Sequence, residues 1–192
     1  MIIDISSYNG DINFDKLFGS EEIERVIMRS TLKSGDLDSK FLTNYRAIRQ
    51  IKDKLPIDAY KFSYAYNFND ASVECFELIM LLKNAKVDDI ATIWLDLEPI
   101  RGRIHTMAEC AQIIAAYAVL CREYGYKLGI YCNYSYARSV IPIWARAYPM
   151  WLARWNKEMG EVAPFRVEIW QYSSAGQLAG IDGSVDLSRY VS

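Results

Sequence analysis

Two carboxylates close an apolar run in the segment Ile93-Trp94-Leu95-Asp96-Leu97-Glu98-Pro99. At i and i+2 along a strand they point to the same side, and Pro99 stops the strand directly after them. Carboxyls so placed can divide into an acid and a base, because each makes the other's ionisation more costly. The plain alternative is a pair of structural acids that cap the following loop. Asp4 repeats the anomaly inside Met1-Ile2-Ile3-Asp4-Ile5, and Asp186 does so in Ser184-Val185-Asp186-Leu187. A buried carboxylate without a partner costs several kcal/mol, so each needs a hydrogen-bond network or a wet cleft. Either alone reads as a turn or capping acid; together with Asp96 and Glu98 they form a set. Such a set suits glycan hydrolysis, in which a protonated carboxyl serves the leaving oxygen and carboxylates face an oxocarbenium-like transition state. An i,i+2 pair has Cα atoms about 6.6–6.8 Å apart, between the separations of retaining and inverting enzymes, so spacing leaves the stereochemistry open. Sugars also need flat apolar faces. Tyr60, Phe62, Tyr64, Tyr131, Trp151, Trp155, Trp170 and Tyr172 all lie near expected strand ends.

The elements that must position these groups alternate in type. Strands are expected at Ile2–Ile5, Arg25–Arg29, Ile57–Ser63, Ala91–Asp96, Lys127–Cys132, Pro149–Arg154, Val167–Tyr172 and Ser184–Leu187. Helices are expected at Ser39–Lys54, Ala71–Asn84 and Met107–Tyr124, with room for one short helix between Tyr134 and Ala147. Thr106-Met-Ala-Glu109 is a capping box, Gly125 stands past the end of that helix, and Asp70 can cap the stretch from Ala71. Strand–helix alternation implies parallel βαβ units. Eight strands with an incomplete set of helices imply a (β/α) barrel of the TIM-like type, flattened, with a β-rich last part of about (β/α)5β3. A barrel sets first and last strands side by side, which would bring Asp4 and Asp186 to one mouth with Asp96 and Glu98.

Composition narrows the function classes. The chain has 192 residues, the size of one domain, so a single domain over 1–192 with none appended is expected. Its net charge of −2 argues against nucleic-acid binding, which rests on a basic surface. The single histidine, His105, excludes a multi-histidine metal site and leaves a Ser or Cys nucleophile without a well-placed base. No metal and no cofactor are therefore expected. Cys75, Cys110, Cys121 and Cys132 contain no CxxC; Cys110 and Cys121 sit about 16 Å apart on one helix, too far to bridge. Reduced or structural thiols are expected. The N-terminus enters a strand-like run at once without a basic leader, and no run of 18 apolar residues occurs, so membrane insertion is not expected.

In order along the chain, the motifs resemble glycoside hydrolase family 25, the Chalaropsis-type lysozymes. Asp4-Ile-Ser-Ser-Tyr-Asn-Gly10 resembles that family's D-x-S-x-Y/H-Q/N-G opening, and Ile27-Met-Arg-Ser-Thr31 with Asp38-x-x-Phe41-x-x-Asn44 follows at the family's spacing. Ala59-Tyr60-Lys61-Phe62-Ser63 resembles its G-x-Y-H-F strand and Trp94-Leu-Asp96-Leu-Glu98 its D-x-E strand. Gly129-Ile-Tyr131-Cys-Asn133, Trp151-Leu-Ala153-Arg154, Ile169-Trp170-Gln171-Tyr172-Ser173-Ser174 and Gly180-Ile-Asp182-Gly-Ser-Val-Asp186 complete the series. The resemblance implies a flattened barrel that cleaves the β-1,4 bond between N-acetylmuramic acid and N-acetylglucosamine in bacterial peptidoglycan, with retention. It implies Glu98 as general acid/base, Asp96 as its assistant at the acetamido group or anomeric carbon, and Asp4 and Asp186 as the rest of an acidic floor. Tyr60, Phe62, Tyr131, Trp151 and Gln171 would bind substrate. A monomer acting outside the cell on glycan strands of the wall is the expected form. Three positions depart from the pattern: Lys61 for a usual His, Asp58 for a common Gly and Ser188 for a frequent Asn. Two other readings compete. One is a wall-binding module with weak catalysis. The other is a chitinase-like barrel, whose longer D-x-x-D-x-D-x-E run is not matched by Thr92-Ile-Trp-Leu before Asp96.

Overall fold

A computed structural model describes residues 1–155 and 158–191. Eight strands form a closed barrel in sequence order: β1 (Ile2–Ile5), β2 (Arg25–Arg29), β3 (Ile57–Phe62), β4 (Ile90–Leu97), β5 (Lys127–Asn133), β6 (Met150–Ala153), β7 (Val167–Gly176) and β8 (Val185–Tyr190). Strands β1 to β7 run parallel, and β8 closes the ring antiparallel to both β7 and β1. The expected barrel with a β-rich last part is present.

Helices cover the first part of the ring. They are α1 (Phe14–Ser20), α2 (Phe41–Ile51), α3 (Phe68–Asn84), α4 (Met107–Tyr124) and the short α5 (Tyr134–Ser139). The Thr106/Glu109 capping box forms, and Gly125 ends α4 in the left-handed conformation at φ +83°. Helix α3 begins three residues earlier than expected. Its cap is Asn67, whose side chain accepts from the Asp70 amide, so Asp70 lies inside the first turn rather than at the cap. Helix α1 was not expected; at seven residues it has too little periodicity to stand out. No helix among the described residues is long and apolar enough to cross a membrane. All four cysteines are buried free thiols.

Strand alternation splits the core in two. Outward-facing Ile3, Val26, Met28, Ile93, Leu95, Leu128 and Ile130 pack with the helices in one large cluster. Inward-facing Ile2, Ile27, Trp94, Tyr131, Trp151, Ala153 and Ile169 fill the barrel, with Tyr60 against them. Beneath this plug lies the buried carboxylate of Asp58, which accepts from Arg25 Nη1 at 2.5 Å and from Trp94 Nε1 at 2.8 Å. The Trp151 indole N–H donates to Ser188 Oγ at 3.1 Å. Thus Asp58 and Ser188, two of the three departures, anchor the indoles that plug the barrel.

Gly129 makes room for that plug. A Cβ there would lie 2.3 Å from Trp94 Cε3, so any side chain must push the indole aside. Overpacking of this kind costs about 1–3 kcal/mol. Gly129→Ala is expected to lower the unfolding free energy by that amount, read as a lower chemical denaturation midpoint at unchanged slope. An unaltered midpoint would contradict the tight seat of Trp94.

Candidate active site

The antiparallel direction of β8 assembles the acids. In a parallel ring a residue near the start of a strand lies at the bottom; reversal puts Asp186, second in β8, at the mouth. Asp186 pairs in register with Asp4, and Asp96 pairs with Phe62 on one side and Tyr131 on the other. Asp96 is the penultimate residue of β4, and Glu98 follows just past its end. All four acids border one cavity of about 340 Å³, together with Tyr8, Arg29, Tyr60, Phe62, Tyr64, Tyr131, Trp151 and Trp155.

Asp4 and Asp96 are buried, while Glu98 and Asp186 are partly open. Burial is the first reason that all four carboxyls hold their protons more tightly than usual. For Asp4, the Asp186 charge adds to burial, and both effects carry it well above the ordinary carboxylate range. Asp186 is raised less, because it accepts a hydrogen bond from Asp4. For Asp96, the Glu98 and Asp4 charges add to burial, while Arg29 pulls the other way. Glu98 is raised by burial and then by Asp186. The acids are coupled, and their protons belong to the set rather than to single residues.

Gln171 ties the set together. Its Nε2 donates to Asp4 Oδ2 at 3.0 Å and to Asp186 Oδ2 at 3.3 Å. Its Oε1 accepts from Tyr131 Oη at 3.0 Å and from Trp155 Nε1 at 2.9 Å. Asp96 Oδ1 is buried with no hydrogen-bond partner among the described residues. The Tyr60 and Tyr131 hydroxyls, pushed well up by burial and then by the nearby acids, stay neutral beside them.

The loops at the mouth are braced from outside the cavity. Buried Asp38 accepts from the Ser7 amide at 3.1 Å, from Ser7 Oγ at 2.8 Å and from the Lys40 amide at 3.0 Å, which fixes the turn that presents Tyr8. Glu74 of α3 accepts from Ser63 Oγ and the Tyr64 amide, both at 2.8 Å, which fixes the turn after β3. Lys61 faces outward from the barrel. Its ammonium donates to the Leu32 carbonyl at 2.9 Å, and burial lowers its pKa.

Of the residues expected at the site, Asp4, Asp96, Glu98, Asp186, Tyr60, Phe62, Tyr131 and Trp151 border the cavity, as do Tyr64 and Trp155 from the wider aromatic set. Gln171 lies beneath them as the link just described. Trp170 and Tyr172 do not join them. They have the opposite parity to Gln171 on β7, face outward, and receive the Arg189 guanidinium 4.7 Å and 5.8 Å from their ring centroids. Trp170 instead lines a separate hollow of about 740 Å³, which none of the four inward acids borders. His105 is buried between Tyr136 and Ala65, away from the cavity.

Tyr8 and Arg29 were given no role by sequence reasoning. Arg29 had a readable signal: it shares the parity of Ile27 on an apolar strand, the same anomaly as Asp4. Its guanidinium carbon sits 5.4 Å from the Tyr8 ring centroid.

The comparisons agree with this fold. The sequence model of Glycosyl hydrolases family 25 matches residues 3–181, a span that includes Asp4, Asp96 and Glu98 and ends before Asp186. The chain superposes on the modular autolysin LytC from Streptococcus pneumoniae with a TM-score of 0.88 at 25% identity, covering 97% of this chain and 45% of that one. It shares its fold with the spore cortex lytic enzyme SleM from Clostridium perfringens (TM-score 0.83, 19% identity, 97% of this chain and 65% of that one). The same holds for the bacterial lysozyme from Streptomyces coelicolor (TM-score 0.80, 19% identity, 98% and 90%). The chain therefore spans less than half of the autolysin and just under two thirds of SleM. A search of curated proteins gave no significant match. The family match across most of the sequence establishes that this chain belongs to glycosyl hydrolases family 25 and is a glycoside hydrolase.

Proposed function

We propose that the protein is a lysozyme that hydrolyses the β-1,4 bond between N-acetylmuramic acid and N-acetylglucosamine in bacterial peptidoglycan. The observation that carries this reading is the coupled acid set on one cavity floor, walled by aromatic rings. A similar fold in an autolysin solved with a synthetic peptidoglycan ligand supports the substrate class.

Glu98 is the acid. It stands past the end of β4, open enough to reach a glycosidic oxygen, and its raised pKa keeps a proton available where free carboxyls are ionised. It gives that proton to the leaving oxygen as the C–O bond breaks, then takes one from the water that completes hydrolysis. Asp96, deeper and with its pKa raised by burial against the pull of Arg29, faces the positive charge developing at the anomeric carbon or orients the acetamido group. Asp4 and Asp186 complete the floor. Tyr60, Phe62, Tyr131 and Trp151 offer sugar-facing surface. The substrate is a wall glycan strand outside the cell, met by a monomer that needs no metal.

Glu98→Gln removes the proton donor at nearly constant shape. Release of new reducing ends from purified walls is expected to fall roughly a thousandfold. Equal clearing by both proteins would remove Glu98 from this role, and wall binding without product in either would favour the binding module.

An acid set kept for chemistry burdens the fold. A carboxyl whose pKa is raised in the native state binds its proton more tightly there than in the unfolded chain. Ionising it therefore destabilises the native state as pH rises above the unfolded value. Asp96→Asn is expected to raise unfolding stability at neutral pH by about 1–2 kcal/mol. The gain vanishes below about pH 4, where both states hold the proton. Loss of stability at neutral pH would show that the Asp96 charge supports the fold instead.

A further inference from the structure

We propose that Gln171 is a positioning residue that couples the Asp4–Asp186 pair on the floor of the cavity to Trp155 at its rim. The orientation of its carboxamide is forced. An indole N–H only donates, so the atom facing Trp155 Nε1 at 2.9 Å is the oxygen, which also takes the Tyr131 hydroxyl at 3.0 Å. The nitrogen therefore faces the two carboxylates, at 3.0 Å and 3.3 Å. A flip would set the amide NH2 against the Trp155 N–H, two donors face to face. Gln171 is 1% exposed, so water does not replace a lost partner cheaply. Trp155, by contrast, is 44% exposed and turns on the loop after β6. The amide is the fixed post, and the indole is the part a sugar meets.

The two ends of the amide are linked electrically. Its N–H groups favour the ionised form of Asp4 and also reach Asp186, while the donors on Oε1 polarise the amide and strengthen those N–H bonds. Several other groups bear on the pair from neighbouring strands and belong to the same field. They are Arg29 on β2, Tyr60 on β3, Asp96 and Glu98 at the end of β4, and Tyr131 on β5. A sugar that tightens Trp155 onto Gln171 thus also favours the anionic floor, and one that displaces the indole weakens it.

Two readouts test this. The first needs no activity: the pH titration of tryptophan emission, taken as wild type minus Trp155→Phe, isolates Trp155. Its midpoint is expected to follow the Asp4–Asp186 pair and to disappear in Asp4→Asn. Gln171→Met removes all four bonds and is expected to move the acidic limb of the pH–rate profile up by about one unit and to shift the Trp155 emission maximum. Gln171→Glu keeps the acceptor for the indole but adds a fifth acid, so the limb moves up by at least as much while the emission maximum stays. A residue that only fills the core would destabilise both variants and leave the limb and the emission midpoint in place. That result would overturn the proposal, and so would a Trp155 titration unchanged in Asp4→Asn. The pH–rate arm rests on the lysozyme reading; if wild type releases no reducing ends, that reading fails, while the emission arm still decides the role of Gln171. Should Gln171→Met not fold, Gln171→Glu and Asp4→Asn carry the test.

Discussion

Four carboxyls turned into one end of a barrel cannot all be charged. Two of them are buried, and like charges in a medium of low polarity repel far more than in water. This constraint orders the rest of the site. Protons must remain on the set, which is what an acid catalyst needs. The remaining charge must be met, and the polar groups at hand are the Gln171 amide, the Arg29 guanidinium and the neutral tyrosine hydroxyls. The aromatic walls serve the same end, since they keep the floor dry while offering a sugar its flat faces.

The barrel answers the constraint by geometry. Seven parallel strands deliver Asp4, Asp96 and Glu98 to the mouth at their C-terminal ends, as barrels of this kind do. The reversed β8 then supplies Asp186 from its beginning rather than its end. Below the mouth the interior is sealed by Trp94 and Trp151, each held by an indole hydrogen bond to a polar anchor. Gly129 gives Trp94 its room. The plug fixes the depth of the cavity, so the floor is a layer of acids on a layer of indoles.

Much of this was legible in the residues, for identifiable reasons. Acids in apolar strands are costly, so Asp4, Asp96 and Asp186 stood out before any fold was known. Strand periodicity placed all eight strands, because each run is short, apolar and bounded by turn residues. Other features depend on tertiary direction and were not readable. Nothing in Val185–Tyr190 states that the strand runs backwards. Parity on β7 separates Gln171 from Trp170 and Tyr172, but only pairing tells which parity faces inward. The capping preference of Asp70 gave way to Asn67, three residues upstream, because both residue types cap well. Lys61, which stands where the family usually has a His, is turned outward to the Leu32 carbonyl.

The shared protons are the centre of this account, and the carboxyl groups can be watched directly. The measurement is a carbon NMR pH titration of protein labelled at its Asp and Glu side-chain carboxyls, with Asp4→Asn, Asp96→Asn, Glu98→Gln and Asp186→Asn to assign the four signals. Asp4 and Asp96 are expected to titrate well above the ordinary range of about 4, and removing one acid is expected to lower the pKa of its neighbours. Four independent titrations near that ordinary value, unmoved by the substitutions, would contradict it.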